Sequence, residues 1–373
     1  MKKIGTVTFH RAQNYGSVLQ TYALQNFVCG LGKEYGEEID YKVINVMPSA
    51  QKKLYSIYKK GFNVTNLVKN TVAFLNYSKL KHRQQAFEEF LNKYISLTAF
   101  CEDETSLLQA TEGMEYCISG SDQIWNVRTV DFESYYYLDF AKSAKKISYA
   151  ASFGPLEIDW TKYDAEKYRN LLNAYDYIST REAGSAKNVK LLIDKEAEIH
   201  VDPTLLLDRE EWRRIQSEAN YRKGQYILMY CLEPSKAQLR LVKAISKKLH
   251  LPVVITRYNN KNDIVNGFVK KYGTGPRDFL ALIDNAALVI TSSFHGTAFS
   301  LIYRKKFFVL NGKTDNRISD ILSKTGLLER SLEDESDLGK VSLEEVDFTQ
   351  AEDFLTEQKQ KSGEYLKDAL GLV

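Results

Sequence analysis

The sequence is poor in cysteine, histidine and proline, with four, five and six of them among 373 residues. The cysteines stand far apart and form no Cys-x-x-Cys pair, which argues against a structural zinc site and a disulfide framework and favours a reducing compartment. No apolar run approaches the roughly 20 residues of a membrane span. The run at residues 4–9 is too short and too polar for a signal peptide, so we expect a cytoplasmic protein.

An excess of one charge is also missing, because 51 Lys and Arg face 48 Asp and Glu, for a net charge of +3. A polycation built for nucleic acid is therefore excluded. The sequence has no Gly-x-Gly-x-x-Gly signature, no Gly-x-Ser-x-Gly elbow and no Walker loop, so dinucleotide, serine-hydrolase and P-loop chemistry lack support. No His, Cys and Asp group has metal-ligand spacing. We expect neither a metal nor a cofactor.

Strand-like apolar runs that alternate with helical patterns are what the sequence does contain. Such alternation is typical of parallel sheets with helical crossovers, so the predicted class is α/β. The predicted strands cover residues 4–9, 41–46, 116–119, 146–151, 177–180, 226–231, 252–256, 287–290 and 306–310.

The length exceeds what one core supports, so two domains are expected. The first set of strands ends near residue 203 and a fresh set begins at residue 226. We assign residues 1–207 to an N-terminal domain with a basic helical insertion at about 50–100, and residues 208–345 to a C-terminal domain. Residues 346–373 form a C-terminal helix for which a return to the first domain is an open option.

The insertion contains an unusual run of positive charge. Residues 41–87 include nine Lys or Arg and no Asp or Glu, with apolar residues between them. Three interpretations remain open: a solvated helical cover for the sheet, contact with an anionic membrane surface or lipid phosphate, and nucleic-acid binding. The last is disfavoured because no recognition fold accompanies the charge. The second would place the protein peripherally on the inner face of the membrane.

The most informative stretch is residues 291–300, where hydroxyl residues, His295 and Gly296 follow a strand and open a helix. A helix start directs free backbone N–H groups and a positive dipole end outward, which suits a phosphate or carboxylate. Ser292, Ser293 and Thr297 would add hydroxyl groups at the same place.

A second polar cluster follows the first predicted strand. Ligands of open α/β sheets bind beyond the carboxyl ends of the strands, so Arg11, Asn14 and the N–H groups near Gly16 and Ser17 are candidate ligand contacts. Ser17 fits a helix N-cap equally well, and both roles stay open.

A third cluster, residues 120–126, follows another predicted strand. Asp122 is a candidate base for a hydroxyl, and Gln123, Trp125 and Asn126 are candidate sugar contacts. The alternative is a capped turn with Trp125 in the core. Three further candidate contacts for an anion or other substrate group also lie at strand ends or helix starts: Arg181, Arg257 and Arg277.

These motifs together resemble the polysaccharide pyruvyl transferase family. The resemblance covers roughly residues 1–325 and rests on residues 14–20, 23–25, 120–126, 149–154, 179–182, 201–205 and 290–300. It implies a glycosyltransferase-B-like fold of two Rossmann-like domains facing a cleft. It also implies transfer of pyruvyl from phosphoenolpyruvate to two hydroxyls of a sugar in surface-polysaccharide assembly, giving a cyclic ketal without a metal.

The resemblance assigns His295, which matches the family's motif histidine, as candidate acid or phosphate contact. Ser293 stands where several members have an arginine, which removes a bidentate partner for a carboxylate or phosphate. Arg11, Arg181, Arg257 and Arg277 are the candidates to replace it. A nucleotide-sugar glycosyltransferase and a non-catalytic glycan or lipid-phosphate binding protein remain alternatives. The expected partner is a sugar or lipid-linked glycan acceptor.

Overall fold

The computed structural model of the chain describes residues 1–218, 221–256 and 266–373. Within these ranges the chain divides into two compact units, each with its own parallel sheet. Unit 1 comprises Met1–Ser56, Glu88–Leu207 and Thr356–Val373. Unit 2 comprises Ile57–Phe87 and Asp208–Leu355.

Unit 1 is built on a four-stranded parallel sheet of order β2-β1-β3-β4. In the central strand, Ile4 pairs with Tyr41 on one side and with Tyr116 on the other. A separate parallel pair, β5 and β6, lies beside this sheet through a bridge from Ile147 to Tyr177. The strands are β1 (Lys2–Val7), β2 (Ile39–Val43), β3 (Tyr116–Ser119), β4 (Lys145–Ser148), β5 (Ser179–Thr180) and β6 (Glu198–Ile199).

A helix or a short 3-10 helix follows each of these strands along the chain, as is usual in parallel sheets. In the longest loop, Trp125 is fully buried and stacks on Tyr137 at 5.2 Å between ring centroids. The helices of unit 1 are α1 (Tyr15–Glu34), α2 (Ser49–Leu54), α5 (Glu104–Ala110), α6 (Ala165–Asn173) and α7 (Ala183–Ile193). Helices α4 (Tyr77–Tyr94) and α13 (Thr349–Leu370) each contribute residues to both units.

Unit 2 contains a six-stranded parallel sheet of order β12-β11-β10-β7-β8-β9. Its strands are β7 (Ile227–Tyr230), β8 (Val253–Ile255), β9 (Val269–Lys270), β10 (Leu288–Thr291), β11 (Phe307–Leu310) and β12 (Ser331–Leu332). Its helices are α3 (Val64–Leu75), α8 (Arg209–Ile215), α9 (Lys236–Leu249), α10 (Pro276–Asn285), α11 (Phe294–Ile302) and α12 (Asn316–Lys324). Short 3-10 helices in the chain are Ser134–Tyr137, Trp160–Lys162, Pro203–Leu206, Leu328–Arg330 and Glu335–Lys340.

Residues 57–87 of the basic insertion group with unit 2, whereas the sequence assigned them to the N-terminal domain. Leu80 packs against the core of unit 2. Arg83 donates through Nη1 to the carbonyl oxygens of Thr256 and Thr274, at 3.3 Å each. The sequence could not show this grouping, because an insertion that follows an N-terminal strand can pack against a sheet formed by residues much later in the sequence. Within the described ranges, no helix combines the length and apolar content needed to cross a bilayer.

Candidate functional site

Asp122 lies just beyond the carboxyl end of β3 with its backbone in the left-handed region, at φ 80°. This conformation is uncommon outside glycine, although Asp tolerates it better than most residues. Its carbonyl oxygen accepts a hydrogen bond from the N–H of Ser152 at 3.0 Å. Its Oδ1 accepts from the N–H of Gln123 at 2.8 Å, and its Oδ2 from the Ser17 hydroxyl at 2.5 Å. The carboxylate is therefore held in one orientation.

Ser17 is the residue that links α1 to this carboxylate. The N-cap of α1 is Asn14, whose Oδ1 accepts from the N–H of Gly16 at 3.0 Å. Ser17 lies inside the first turn and is buried. The N-cap alternative for Ser17 is thus wrong, because Asn14 already occupies that role and the Ser17 hydroxyl donates to Asp122 instead.

Arg181 is the centre of a buried charge network in unit 1. Its Nη1 donates to Asp202 Oδ2 at 2.9 Å, and its Nε lies 3.3 Å from Glu182 Oε2. Burial by itself would lower the pKa of Arg181, but Glu182, Asp202 and Asp122 outweigh burial and raise it. The Ser121 hydroxyl adds a contact to Asp202 Oδ2 at 3.3 Å. The guanidinium is therefore a permanent cation locked among carboxylates.

This network has an excess of negative charge, with three carboxylates around one guanidinium. A carboxylate surrounded by hydroxyl groups suits hydrogen bonding to sugar hydroxyls and acceptance of their protons. The same charge balance disfavours a phosphate. Arg181 is thus a structural partner of Asp202 and Glu182, because burial forces its charge to be neutralised locally.

The other residues of the 120–126 cluster divide between the core and the turn. Trp125 is fully buried, and its Nε1 donates to the carbonyl of Tyr136 at 3.3 Å. The assignment of Trp125 as a sugar contact is therefore wrong, because its indole fills the aromatic core. Asn126 Nδ2 donates to Gln123 Oε1 at 3.1 Å, and Asn126 Oδ1 accepts from Arg128 Nε at 2.9 Å.

Arg11 follows β1 and contacts residues other than those of the Asp122 network. Its Nε donates to Asn45 Oδ1 at 2.6 Å, and its Nη1 lies 3.3 Å from Glu88. Its guanidinium also lies over the ring of Phe100, at 5.3 Å from the centroid. The pair with Glu88 is half open to solvent and contributes little to stability.

Arg277 lies in the first turn of α10 and is held by the backbone of unit 2. Its Nε donates to the carbonyl of Ile215 at 2.7 Å, and its Nη2 to that of Gln216 at 3.2 Å. These are the carbonyls at the end of α8, which have no partner within the helix. Arg277 is therefore a helix-capping residue in this structure. The prediction for Arg257 falls outside the described residues.

The strand-to-helix turn of unit 2 is tightly packed. The Thr291 hydroxyl donates to the carbonyl of Tyr230 at 2.6 Å and accepts from the N–H of Ser293 at 3.0 Å. A Cβ on Gly296 would lie 2.1 Å from Thr291 Oγ1. Glycine is therefore required here because α11 passes so close to the end of β10. Ser292 Oγ accepts from the N–H of Leu232 at 3.1 Å.

His295 lies in the first turn of α11, in the position that the sequence predicted. Its side chain is 7% exposed, and its ring packs edge-on against Phe294 at 5.5 Å. The Thr297 hydroxyl donates to the carbonyl of Ser293 at 3.2 Å, so it serves the helix itself. The N–H groups of the first turn have no acceptor within the helix and carry its positive dipole end. These N–H groups could donate hydrogen bonds to an anion, and the imidazole of His295 belongs to the same turn.

Three charged or hydroxyl residues of the network in unit 1 were missing from the predicted site, namely Ser121, Glu182 and Asp202. Glu182 and Asp202 stand within the family-like motifs at 179–182 and 201–205, and that position was the available signal. Periodicity could not reveal them, because each lies in a loop or at a helix boundary. Among the residues that the structure describes, no group of three His, Cys, Asp or Glu is arranged to hold a metal ion.

The family model described as polysaccharide pyruvyl transferase matches residues 14–314, which is well over half of the chain. The chain belongs to this family. The match includes Asp122, the Arg181 network and His295. A search of curated proteins with this sequence finds no significant match.

Solved structures show the fold of the pyruvyl transferase family member. It is similar to a UDP-N-acetylglucosamine 2-epimerase from Rickettsia bellii, with a TM-score of 0.54 and 12% identity over 100% of this chain and 96% of that one. It is also similar to a UDP-GlcNAc 2-epimerase from Methanocaldococcus jannaschii, with a TM-score of 0.51 and 12% identity over 100% of this chain and 99% of that one. With two parallel α/β units, the fold is glycosyltransferase-B-like, as predicted.

Proposed function

We propose that the protein transfers the pyruvyl group of phosphoenolpyruvate to two hydroxyls of a sugar. The match of the family model over residues 14–314 carries this proposal. The methylene carbon gains a proton and becomes a methyl group. Two sugar oxygens bond to the adjacent carbon, and its bond to the phosphate oxygen breaks. Of the two hydroxyl protons released, one balances the methyl group and the other leaves on the phosphate.

The helix start of unit 2 is the proposed site for the donor's negative charge. Phosphoenolpyruvate carries a carboxylate and a phosphate, and first-turn N–H groups with a helix dipole stabilise both. His295 lies in that turn and is the proposed proton donor to the methylene carbon. Ser292 and Ser293 precede it and supply hydroxyls, although each also serves the turn itself.

Asp122 is the proposed base for the attacking hydroxyls. Its carboxylate is oriented by Ser17 and by the N–H of Gln123, so its geometry is set before a sugar arrives. The excess of carboxylates around Arg181 favours hydroxyl groups over a phosphate in this network. A sugar or lipid-linked glycan is therefore the proposed acceptor.

The reaction is tested with phosphoenolpyruvate labelled at C2 and a panel of aryl glycosides with pairs of free hydroxyls. We expect phosphate release that depends on the acceptor and equals ketal formed. In D₂O each product methyl group acquires one deuterium, because the proton donor exchanges with solvent. Binding is followed separately as a rise in melting temperature with phosphoenolpyruvate alone.

Variants assign the roles. His295→Gln and Asp122→Asn are expected to lower turnover by about 10²–10⁴-fold each, the usual contribution of a general acid or base. His250→Asn, at an exposed helix end, is the matched control. Full activity of His295→Gln would remove the catalytic assignment. Stabilisation by UDP-GlcNAc but not by phosphoenolpyruvate, with consumption of the nucleotide sugar, would replace the proposal by glycosyl transfer.

A further inference from the structure

Helix α3 carries an apolar stripe on the side that faces solvent. Residues 64, 67, 68, 71 and 75 follow the i, i+3, i+4, i+7, i+11 spacing of one helix face, and residue 74 lies beside them. The apolar members of this stripe are all exposed: Val64, Leu67, Val68, Phe74 and Leu75. The opposite face holds the buried Ala73. The usual arrangement of a surface helix, with its apolar face inward, is reversed here.

The loop before α3 places another aromatic ring at the tip. Phe62 is fully exposed and follows Gly61, whose φ is 98°. Asn63 caps the helix by accepting from the N–H of Asn66 at 2.8 Å. Asn66 Nδ2 in turn donates to the carbonyl of Lys60 at 2.8 Å. These bonds hold the loop to the helix, so the exposure of Phe62 is a built feature of this segment.

A second pair of hydrogen bonds connects the same loop to α3. Asn70 Oδ1 accepts from the N–H of Lys59 at 2.7 Å, and its Nδ2 donates to the carbonyl of Lys59 at 3.0 Å. Asn66 and Asn70 are one turn apart, so both point from the same face of α3. Nearby, the rings of Tyr58 and Tyr77 stack at 6.1 Å, and both side chains are partly exposed.

Exposed positive charge lies close to the stripe in the sequence. Residues 57–87, the part of the basic insertion that belongs to unit 2, contain six Lys or Arg and no Asp or Glu. Lys60, Lys69 and Lys79 are exposed close to the stripe in sequence. Burial lowers the pKa of Lys59, and the neighbouring charge of Lys69 lowers it further, as expected in a crowded basic surface.

Charge selects among the possible occupants. Apolar side chains flanked by lysines, with tyrosines at the edge, match a bilayer whose headgroups are anionic. In a two-fold dimer formed through this surface, the same patch would face itself and its lysines would oppose lysines. Residues 57–87 contain no Asp or Glu that could pair with them. A second copy of the chain is therefore disfavoured.

We propose that the apolar stripe of α3, with Phe62 and the exposed lysines of the same segment, is a docking surface for an anionic phospholipid bilayer. The apolar side chains enter the headgroup boundary, and the lysines reach the phosphates with their aliphatic stems along the surface. The surface lies in the segment 58–79, which contains none of the residues assigned to the pyruvyl transfer reaction. The two proposals therefore stand or fall separately.

The test is vesicle co-sedimentation of the full chain. Phosphatidylcholine vesicles are compared with vesicles that contain about 30% phosphatidylglycerol, enough to give a negative surface potential. We expect binding to the anionic vesicles only, with a steep loss as ionic strength rises from about 0.05 M to about 0.5 M. Equal binding to both vesicles, or none to either, would overturn the proposal.

Matched variants separate the apolar and ionic parts. Phe62→Ser with Leu67→Ser, and Lys60→Gln with Lys69→Gln and Lys79→Gln, are each expected to weaken anionic-vesicle binding more than about tenfold. Two control variants change equally exposed residues elsewhere: Leu156→Ser with Leu191→Ser, and Lys195→Gln with Lys247→Gln and Lys313→Gln.

Folding is checked by the melting temperature, which should not change because every altered side chain is exposed. Controls that lose binding as strongly as the segment variants would contradict the assignment to this surface. Sedimentation velocity of the unmodified chain without lipid gives the other decisive outcome. A dimer that Phe62→Ser with Leu67→Ser abolishes would identify the surface as an interface between copies instead.

Discussion

At the scale of single residues, two glycines at helix starts illustrate why local sequence underdetermines function. Gly184 lies in the first turn of α7, and an added Cβ there would meet nothing within 4 Å. Gly296 lies in the first turn of α11, and an added Cβ would lie 2.1 Å from Thr291 Oγ1 and 3.1 Å from the ring of Tyr230. A side chain can therefore be accommodated at position 184, whereas position 296 requires glycine.

Gly296→Ala and Gly184→Ala are therefore expected to change stability in opposite directions. Gly296→Ala should lower the free energy of unfolding by about 1–3 kcal/mol, because the turn at the end of β10 must open. Gly184→Ala should raise it by about 0.5–1 kcal/mol through helix propensity. Urea denaturation measures both. Equal effects would show that the close approach at Gly296 relaxes without cost.

His10 makes stability depend on pH. Burial, helped by the adjacent Arg11, lowers the pKa of His10 from 6.5 to about 4, although hydrogen bonds with Thr8 and Asn45 oppose this. Between pH 6.5 and 4 the unfolded chain binds a proton that the folded chain does not. The free energy of unfolding should therefore fall as pH falls through this window, by about 3 kcal/mol in total, and level off below it.

The measurement is urea denaturation of the unmodified chain, His10→Asn and the control His250→Asn from pH 7 to pH 4. His10→Asn should have the shallower pH dependence, whatever its absolute stability. Part of the slope should remain, because burial also lowers the pKa of His200 despite the nearby Glu198. Identical slopes for all three proteins would refute the assignment to His10.

The sequence predicted the placement of some candidate residues correctly and that of others wrongly, for one physical reason. Asp122 and Ser17 stand in motifs at strand ends, and the structure brings these two together. Trp125 and Arg277 stand in similar places, yet the first fills the core and the second caps α8. Motif position indicates which end of a sheet a residue is near. It does not indicate whether the side chain is already engaged in structural contacts and so unable to bind a ligand.

At the scale of elements, strands that lie within apolar runs were predictable, whereas three two-residue strands outside such runs were not. The predicted strand at residues 116–119 coincides with β3, and the runs at 226–231 and 306–310 contain β7 and β11. Strands β6, β9 and β12 have two residues each and depend on a neighbouring strand. Two residues cannot show a periodicity, so tertiary pairing alone defines these elements.

The packing of the basic insertion also depends on contacts remote in sequence. Arg83→Met should loosen α4 from unit 2, because the carbonyls of Thr256 and Thr274 lose a shared donor. Losing such bonds costs about 1–3 kcal/mol. Amide exchange across residues 64–80 should therefore accelerate by about tenfold or more, measured by mass spectrometry.

Arg240→Met is the matched control, since Arg240 is exposed and pairs with the exposed Glu335. It should leave exchange across residues 64–80 unchanged. An unaltered exchange rate in Arg83→Met would mean that Leu80 and its apolar neighbours suffice to hold the segment.

At the scale of the whole molecule, unit 1 depends on the last segment of the chain. Leu366 and Leu370 of α13 are fully buried, and the Tyr365 hydroxyl donates to the carbonyl of Ser148 at 2.8 Å. The Ser362 side chain lies 3.3 Å from His200 Nδ1. The C-terminal residues thus complete a core that begins at the first strand.

Leu366→Ala should destabilise unit 1 by about 2–5 kcal/mol, the cost of emptying a buried leucine site. Hydrogen exchange in moderate urea should show faster opening of β1 and β4 with no change in β7 and β11. Asp368→Ala, exposed on the same helix, is the control. Equal acceleration in both sheets would show that the chain opens as one cooperative body.

The assignment of Ile57–Phe87 to unit 2 has a consequence for how such genes can recombine. A single crossover at codon 208 would replace the strands β7–β12 with those of a second parent protein. Leu80 and Arg83 would still come from the first parent. The sheet of the second parent would then pack against an insertion from the first parent. The carbonyls at positions 256 and 274 would no longer face the arginine with which they evolved. Viable chimaeras between family members should therefore inherit the two stretches together, and natural exchange should leave them correlated.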